Sequence, residues 1–132
     1  MTPIGVVRSS LRNRGVAPRQ AFEGAPVATL EVDPEFAPAL HGVTPGTELI
    51  VVTWLHEADR TALQVHPRDD ESNPLTGVFA TRSSDRPNPI GLHRVTVVGI
   101  DPATSLNVDA LEAIDGTPIL DLKVALGHSP DA

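Results

Sequence analysis

The densest run of chemically capable side chains extends from Arg82 to Gly91, in the order Arg-Ser-Ser-Asp-Arg-Pro-Asn-Pro-Ile-Gly. Two arginines four residues apart can hold an anion, such as a carboxylate or a phosphate, in fork geometry. Pro-Asn-Pro fixes two φ angles and drives the residue before each proline toward extended backbone, which keeps neighbouring side chains preorganised. The same stiffness also makes a plain turn. Asp115-Gly116-Thr117-Pro118 has a similar double reading: Asp-Gly is an ordinary hairpin turn, or it holds a carboxylate at a barrel rim beside polar Thr117. His56 ends the most apolar stretch of the chain, Leu49–Leu55, and stands beside Glu57. A histidine there either meets a ligand or caps the rim. His66, Asp69, Asp70 and Glu71 lie close together, but their spacing fits no standard metal site, so a solvated acidic loop and no metal are expected.

Missing motifs and overall charge narrow the chemistry. No G-x-G occurs anywhere and the one lysine, Lys123, follows no glycine, which removes both the dinucleotide fingerprint and the phosphate-binding loop. G-x-S-x-G and H-E-x-x-H are absent too. Without cysteine there is no disulfide frame, thiolate metal site or cysteine nucleophile. One tryptophan, three phenylalanines and no tyrosine leave few stacking platforms for single-stranded nucleic acid. Ten basic against seventeen acidic residues give a formal charge of −7, which excludes a small domain that coats nucleic acid by charge alone. The segment Met1–Gln20 runs against that balance, with Arg8, Arg12, Arg14 and Arg19 all ahead of the first acid, Glu23. The longest apolar run, Leu49–Val52, is far short of the ~18 residues of a membrane span. No export signal is evident, so a cytoplasmic protein with no membrane contact is expected. A chain of 132 residues with 40% hydrophobic content suits a single domain over residues 1–132.

Positioning such groups falls to short strands. Thirteen prolines and ten glycines are spread along the whole chain, which disfavours long helices and favours strands between fixed turns. Strands are expected at Ile4–Ser9, Val27–Val32, Leu49–Leu55, Gly77–Thr81, Leu92–Ile100, Leu106–Leu111 and Ile119–Val124. In the second, Ala28, Leu30 and Val32 share one face. Leu49–Leu55 is apolar on both faces and hence central. In the last, Asp121 and Lys123 lie opposite Leu120 and Leu122. Asp33-Pro34-Glu35 opens a helix of about two turns that Gly42 can close. The expected fold is all-β: a single closed or nearly closed β-barrel of about seven short strands with one or two short helices.

Five stretches taken in order carry a family resemblance: Ile4-Gly5-Val6-Val7-Arg8-Ser9, Ala17-Pro18-Arg19-Gln20, Trp54-Leu55-His56-Glu57, the block Gly77-Val78-Phe79-Ala80-Thr81-Arg82-Ser83 with Arg86-Pro87-Asn88-Pro89-Ile90-Gly91-Leu92, and Asp115 to Lys123. Together they resemble the TrmO (TsaA-like) family of S-adenosylmethionine-dependent methyltransferases, which are built on a β-barrel. The resemblance implies N6-methylation of threonylcarbamoyl-adenosine next to the anticodon of a tRNA by a homodimer. It implies that S-adenosylmethionine is held by Gln20, Ala21 and Phe22, by His56 and Glu57, by Arg82 and Leu92, and by Leu111 and Glu112. Asp115 is then the first candidate for a proton-accepting base and His56 the second. Arg86 and Asn88 are expected to grip the nucleotide, with Arg8 and Arg19 of the basic segment reaching the RNA. Two other readings are a methyltransferase of the same fold acting on a small molecule and a non-catalytic S-adenosylmethionine-binding protein.

Overall fold

The computed structural model describes residues 1–10 and 27–126. Six strands close into an antiparallel barrel: β1 (Gly5–Arg8), β2 (Ala28–Val32), β3 (Glu48–Trp54), β6 (Ile90–Ile100), β7 (Ser105–Val108) and β8 (Pro118–Val124). The order around the barrel is β1-β2-β7-β6-β3-β8, and β8 returns to β1 through Gly5 opposite Ile119. Two further strands, β4 (Gln64–Val65) and β5 (Thr76–Gly77), pair only with each other.

Alternation along the strands builds the interior. Ala28, Leu30 and Val32 point inward from β2, Leu49 and Val51 from β3, and Val95 and Val97 from β6; Leu106, Val108 and Ile119 complete the packing. Each inward Val, Leu or Ile buried in full contributes about 1.5–3 kcal/mol relative to exposure. β3 is paired on both sides, to β6 and β8, and Ile50 on its other face is buried as well. That matches a strand apolar on both faces.

Two irregularities shape the sheet. Val52 faces Asp121 whereas Thr53 faces Ile119, so Leu120 is an extra residue in β8. This bulge lets Ile119 and Leu122 both pack inward while Asp121 and Lys123 stay exposed. A second shift, between Val97 and Gly99, leaves Val98 turned outward.

The expected strand at Gly77–Thr81 is not a barrel strand. Only Thr76–Gly77 pairs, and Val78–Ala80 forms a 3-10 turn. Local bonds win there: the Thr81 amide and hydroxyl both donate to the Val78 carbonyl, at 3.1 and 3.0 Å. Val78 is buried and Phe79 stays 83% exposed, so the segment buries one side chain and not the alternating face of a strand. The strand expected over Leu106–Leu111 stops at Val108, because the Asp109 carboxylate accepts the Thr96 and Ala110 amides at 2.9 Å. The Asp33 helix is a 3-10 helix over Pro34–Leu40, followed by Gly42 at φ 95°. Pro38 within it lacks the N–H that an α-helical ladder needs. Asp33 stands at the cap position with no side-chain cap bond, and its carbonyl accepts the Phe36 amide.

Asp115-Gly116 is a turn, with Gly116 at φ 85° and the Thr117 amide donating to Ile114 O at 3.2 Å. It does not close a hairpin. β7 and β8 are not neighbours in the barrel, and the turn instead lies along β1, where Gly116 N–H bonds Val7 O and Val7 N–H bonds Thr117 O.

Candidate functional site

A cavity of about 640 Å³ opens at the end of the barrel where β3 stops and β6 begins. Leu55, His56 and Glu57 line it from the end of β3, and Ile90, Gly91, Leu92 and His93 from the start of β6. Glu112, Ala113, Ile114 and Thr117 form a third wall, from the segment ahead of β8. The last two sides come from the β4 end, Val65 to Asp69, and from the arginine-rich loop, Ala80 to Arg86. This volume is in the range of small-ligand and cofactor sites.

The arginine-rich loop is fixed by its own polar groups. Thr81 Oγ1 accepts the Ser83 amide at 3.1 Å, and Ser83 Oγ accepts the Asp85 amide at 3.2 Å. Asp85 Oδ1 then accepts the Asp59 amide at 2.8 Å, which ties the loop to the segment leaving β3. The Arg86 guanidinium donates to the carbonyls of Val78, Thr81 and Ser83. Pro89 is fully buried beneath the loop, and Arg60 donates to Pro87 O at 2.8 Å while covering the Trp54 ring at 5.1 Å. The Pro-Asn-Pro segment is thereby clamped on the barrel.

Across the cavity, the loop after β4 carries Arg68 and Asp69 with consecutive positive φ angles of 60° and 57°. Non-glycine residues adopt that conformation at a cost. It is held by His66 Nδ1 against Asn73 O at 2.9 Å and by Asn73 Nδ2 donating to Pro67 O at 2.8 Å. Among the described residues no group of three or more His, Asp or Glu side chains is placed to hold a metal ion.

The sequence-based candidates divide. His56, Glu57, Arg82, Arg86, Leu92 and Glu112 all line this one cavity. The Glu112 Oε2 atom is buried, and His56 Nε2 lies 3.7 Å from Glu57 Oε2. Leu111 is fully buried in the core. Asn88 is exposed outside the lining, and its Oδ1 accepts Arg60 at 3.3 Å. Asp115 and Arg8 line a different, more open cavity of about 620 Å³ with Ser9, Thr29 and Asn107. There Asp115 Oδ1 accepts the Ser9 amide at 3.0 Å, and Oδ2 lies 3.9 Å from Arg8, which also pairs with Glu31 at 2.9 Å. Arg19, Gln20, Ala21 and Phe22 lie outside the described residues.

Among the lining residues that the sequence reading did not single out, His93 has the most distinctive surroundings. His93 points inward from β6, and its Nε2 lies 2.8 Å from Thr53 Oγ1. Burial, with the positive charge of Arg82 as a second cause, pushes its pKa down to about 4. The ring is therefore neutral at physiological pH. The signal was parity: His93 shares the strand face of Val95 and Val97. The lining as a whole carries both signs, with Arg68 and Arg82 against Glu57, Asp69 and Glu112. Such a set suits a ligand that is itself cationic at one point and anionic at another.

Comparison with known proteins agrees with this architecture. A family profile described as the tRNA-methyltransferase O N-terminal domain matches residues 6–129. A protein of Archaeoglobus fulgidus named "probable S-adenosyl-L-methionine-binding protein" is 42% identical over 120 residues, which are 91% of this chain and 32% of that protein. One of the same name from Methanothermobacter thermautotrophicus is 37% identical over 121 residues, covering 92% of this chain and 85% of its own length. The crystal structure of TrmO from Pseudomonas aeruginosa superimposes with a TM-score of 0.76 at 32% identity, over 99% of this chain and 59% of that one. This chain thus spans about a third of the first relative and under two thirds of the solved TrmO chain.

Proposed function

This chain belongs to the TrmO N-terminal domain family, and from that premise we propose that it is an S-adenosylmethionine-dependent methyltransferase acting on N6 of threonylcarbamoyl-adenosine beside a tRNA anticodon. The observation that carries the reading is the convergence of His56, Glu57, Arg82 and Glu112 on one cavity of cofactor size. S-adenosylmethionine, when bound, supplies a methyl group on a cationic sulfonium, so the leaving group needs no acid. Glu57 and Glu112 suit its positive centres, Arg82 its carboxylate, and Leu55, Ala80 and Ile90 its adenine. With the leaving group already activated, catalysis rests mainly on alignment, at ~3–3.5 Å between nucleophile and methyl. The clamped loop from Val78 to Pro89 gives that alignment a rigid base.

The acceptor nitrogen is amide-like and gains from losing its proton. Of the two groups considered as base, His56 borders the cavity and Asp115 does not, so we assign the proton to His56. Asp115 serves to bracket the end of β1. Arg68 and Arg82, two of the ten cations in a chain of charge −7, line the cavity that an anionic RNA would approach. The protein acts as a homodimer in this reading, with exposed Leu63 and Phe79 as apolar surface for a second copy.

The test is direct. Purified protein is incubated with S-adenosylmethionine and tRNA from a strain lacking the activity, and the nucleosides are resolved by mass spectrometry. A mass gain of one methyl on threonylcarbamoyl-adenosine is expected, with light scattering giving a dimer. Cofactor binding without turnover on tRNA would overturn the tRNA reading and leave a small-molecule acceptor or the binding role named for its relatives.

A further inference from the structure

The hydrogen bond between Thr53 and His93 fixes which ring nitrogen faces the cavity. Thr53 is fully buried, and His93 Nε2 is the partner of its hydroxyl. A buried hydroxyl proton needs an acceptor, so Thr53 Oγ1 donates and Nε2 accepts. A neutral imidazole with an unprotonated Nε2 carries its proton on Nδ1. Among the described residues Nδ1 has no hydrogen-bond partner, and the ring lines the cavity. It therefore offers the cavity one N–H donor and no positive charge.

Strand register makes this arrangement possible. His93 is opposite Val51, and Thr53 is opposite Gly91, so the two polar side chains are diagonal neighbours on the inward face. They meet above Gly91, where a Cβ would fall 2.6 Å from Thr53 Oγ1 and 2.8 Å from His93 Nε2. Arg82 lines the same cavity and is the charged group whose field acts on the ring. A guanidinium and an N–H donor that line one cavity call for an anionic acceptor, while Glu57 and Glu112 serve the cationic part of the same ligand.

We propose that His93, oriented by Thr53, donates its Nδ1–H to the carboxylate of an amino-acid moiety and shares that carboxylate with Arg82. The inference rests on the methyltransferase reading for the identity of the ligand. That chemistry has two sources, the methionyl end of the methyl donor and the threonyl side chain of the acceptor nucleoside. In either case His93 is a specificity-determining residue, since a ligand without the carboxylate leaves the donor unused.

Two measurements test it. Nitrogen-15 NMR of the imidazole in ligand-free protein should show His93 protonated on Nδ1; protonation on Nε2 overturns the proposal whatever the protein binds. Calorimetry then compares S-adenosylmethionine with its decarboxylated analogue, and threonylcarbamoyl-adenosine with its carboxamide. At least a tenfold preference for the carboxylate form is expected in one pair, and that pair identifies the source. His93→Leu and Thr53→Val should each cut the preference at least threefold, Arg82 retaining the rest, while Thr53→Ser, which keeps the hydroxyl, leaves it unchanged. Circular dichroism confirms that each variant is folded. Equal weakening of both members of a pair overturns the proposal alone. No heat from any of the four compounds with the wild-type protein overturns the proposal together with the methyltransferase reading.

Discussion

Thr53 Oγ1 and His93 Nε2 lie 2.8 Å apart across β3 and β6, directly over Gly91. The pair occupies space that any side chain at position 91 would take. Gly91→Ala should therefore destabilise the barrel by about 1–3 kcal/mol, the usual cost of overpacking. Chemical denaturation measures it, and a variant as stable as the parent would show that the strands give way freely at this point.

The same histidine predicts an acid-dependent loss of stability. In the unfolded chain it has the ordinary value of 6.5, and in the folded protein about 4. Below pH 6.5 the unfolded state takes a proton that the folded state refuses, so stability falls as pH drops through that window toward 4. The loss at the lower end is of order 3 kcal/mol. Urea titrations at stepped pH should show a shallower decline for His93→Gln than for the parent; parallel curves would remove His93 as the cause.

Arg86 holds the carbonyls of Val78, Thr81 and Ser83. Arg86→Met should cost roughly 1–3 kcal/mol by stripping those acceptors of their donor. Limited proteolysis should then cleave between residues 78 and 86 sooner than in the parent. An unchanged cleavage pattern would return Arg86 to a role in gripping RNA.

Arg82 is exposed at the cavity lining, so its removal should alter binding far more than folding. Arg82→Ala is expected to weaken S-adenosylmethionine about 10- to 100-fold, the value of a charge-assisted hydrogen bond. Its denaturation midpoint should stay close to the parent's. Calorimetry that returns the parental affinity would move the cofactor elsewhere.

His56 and Asp115 separate by turnover. His56→Gln should lower methyl transfer about 10²-fold, as loss of a positioned base does. Asp115→Asn keeps an oxygen for the Ser9 amide and should retain turnover within about threefold. The reverse outcome would place the proton on Asp115.

Most of the barrel was legible because inward parity is a local property of each strand. Ala28, Leu30 and Val32 declared themselves by alternation, and so did Leu106 and Val108. Gly77–Thr81 misled because Val78, Phe79 and Thr81 are β-prone, yet β4 pairs no further than Gly77 and hydrogen bonds to the Val78 carbonyl capture the turn. The Asp115 turn was recognised as a turn, but which strand it lies against depends on closure between β1 and β8, a relation no short window contains. For the site, motif order brought out His56, Glu57, Arg82 and Glu112, which the fold gathers from three separate segments. His93 was missed because a lone histidine in a strand looks ordinary until its diagonal neighbour is known.

The seam that joins Gly5 to Ile119 also has a kinetic side. A chain leaving the ribosome cannot form it until nearly all of the barrel has emerged, so β1 waits for a partner made last. Pairings between residues this distant in sequence slow folding into the range of milliseconds to seconds. During that wait the apolar strands of the nascent protein stay open to association with other chains.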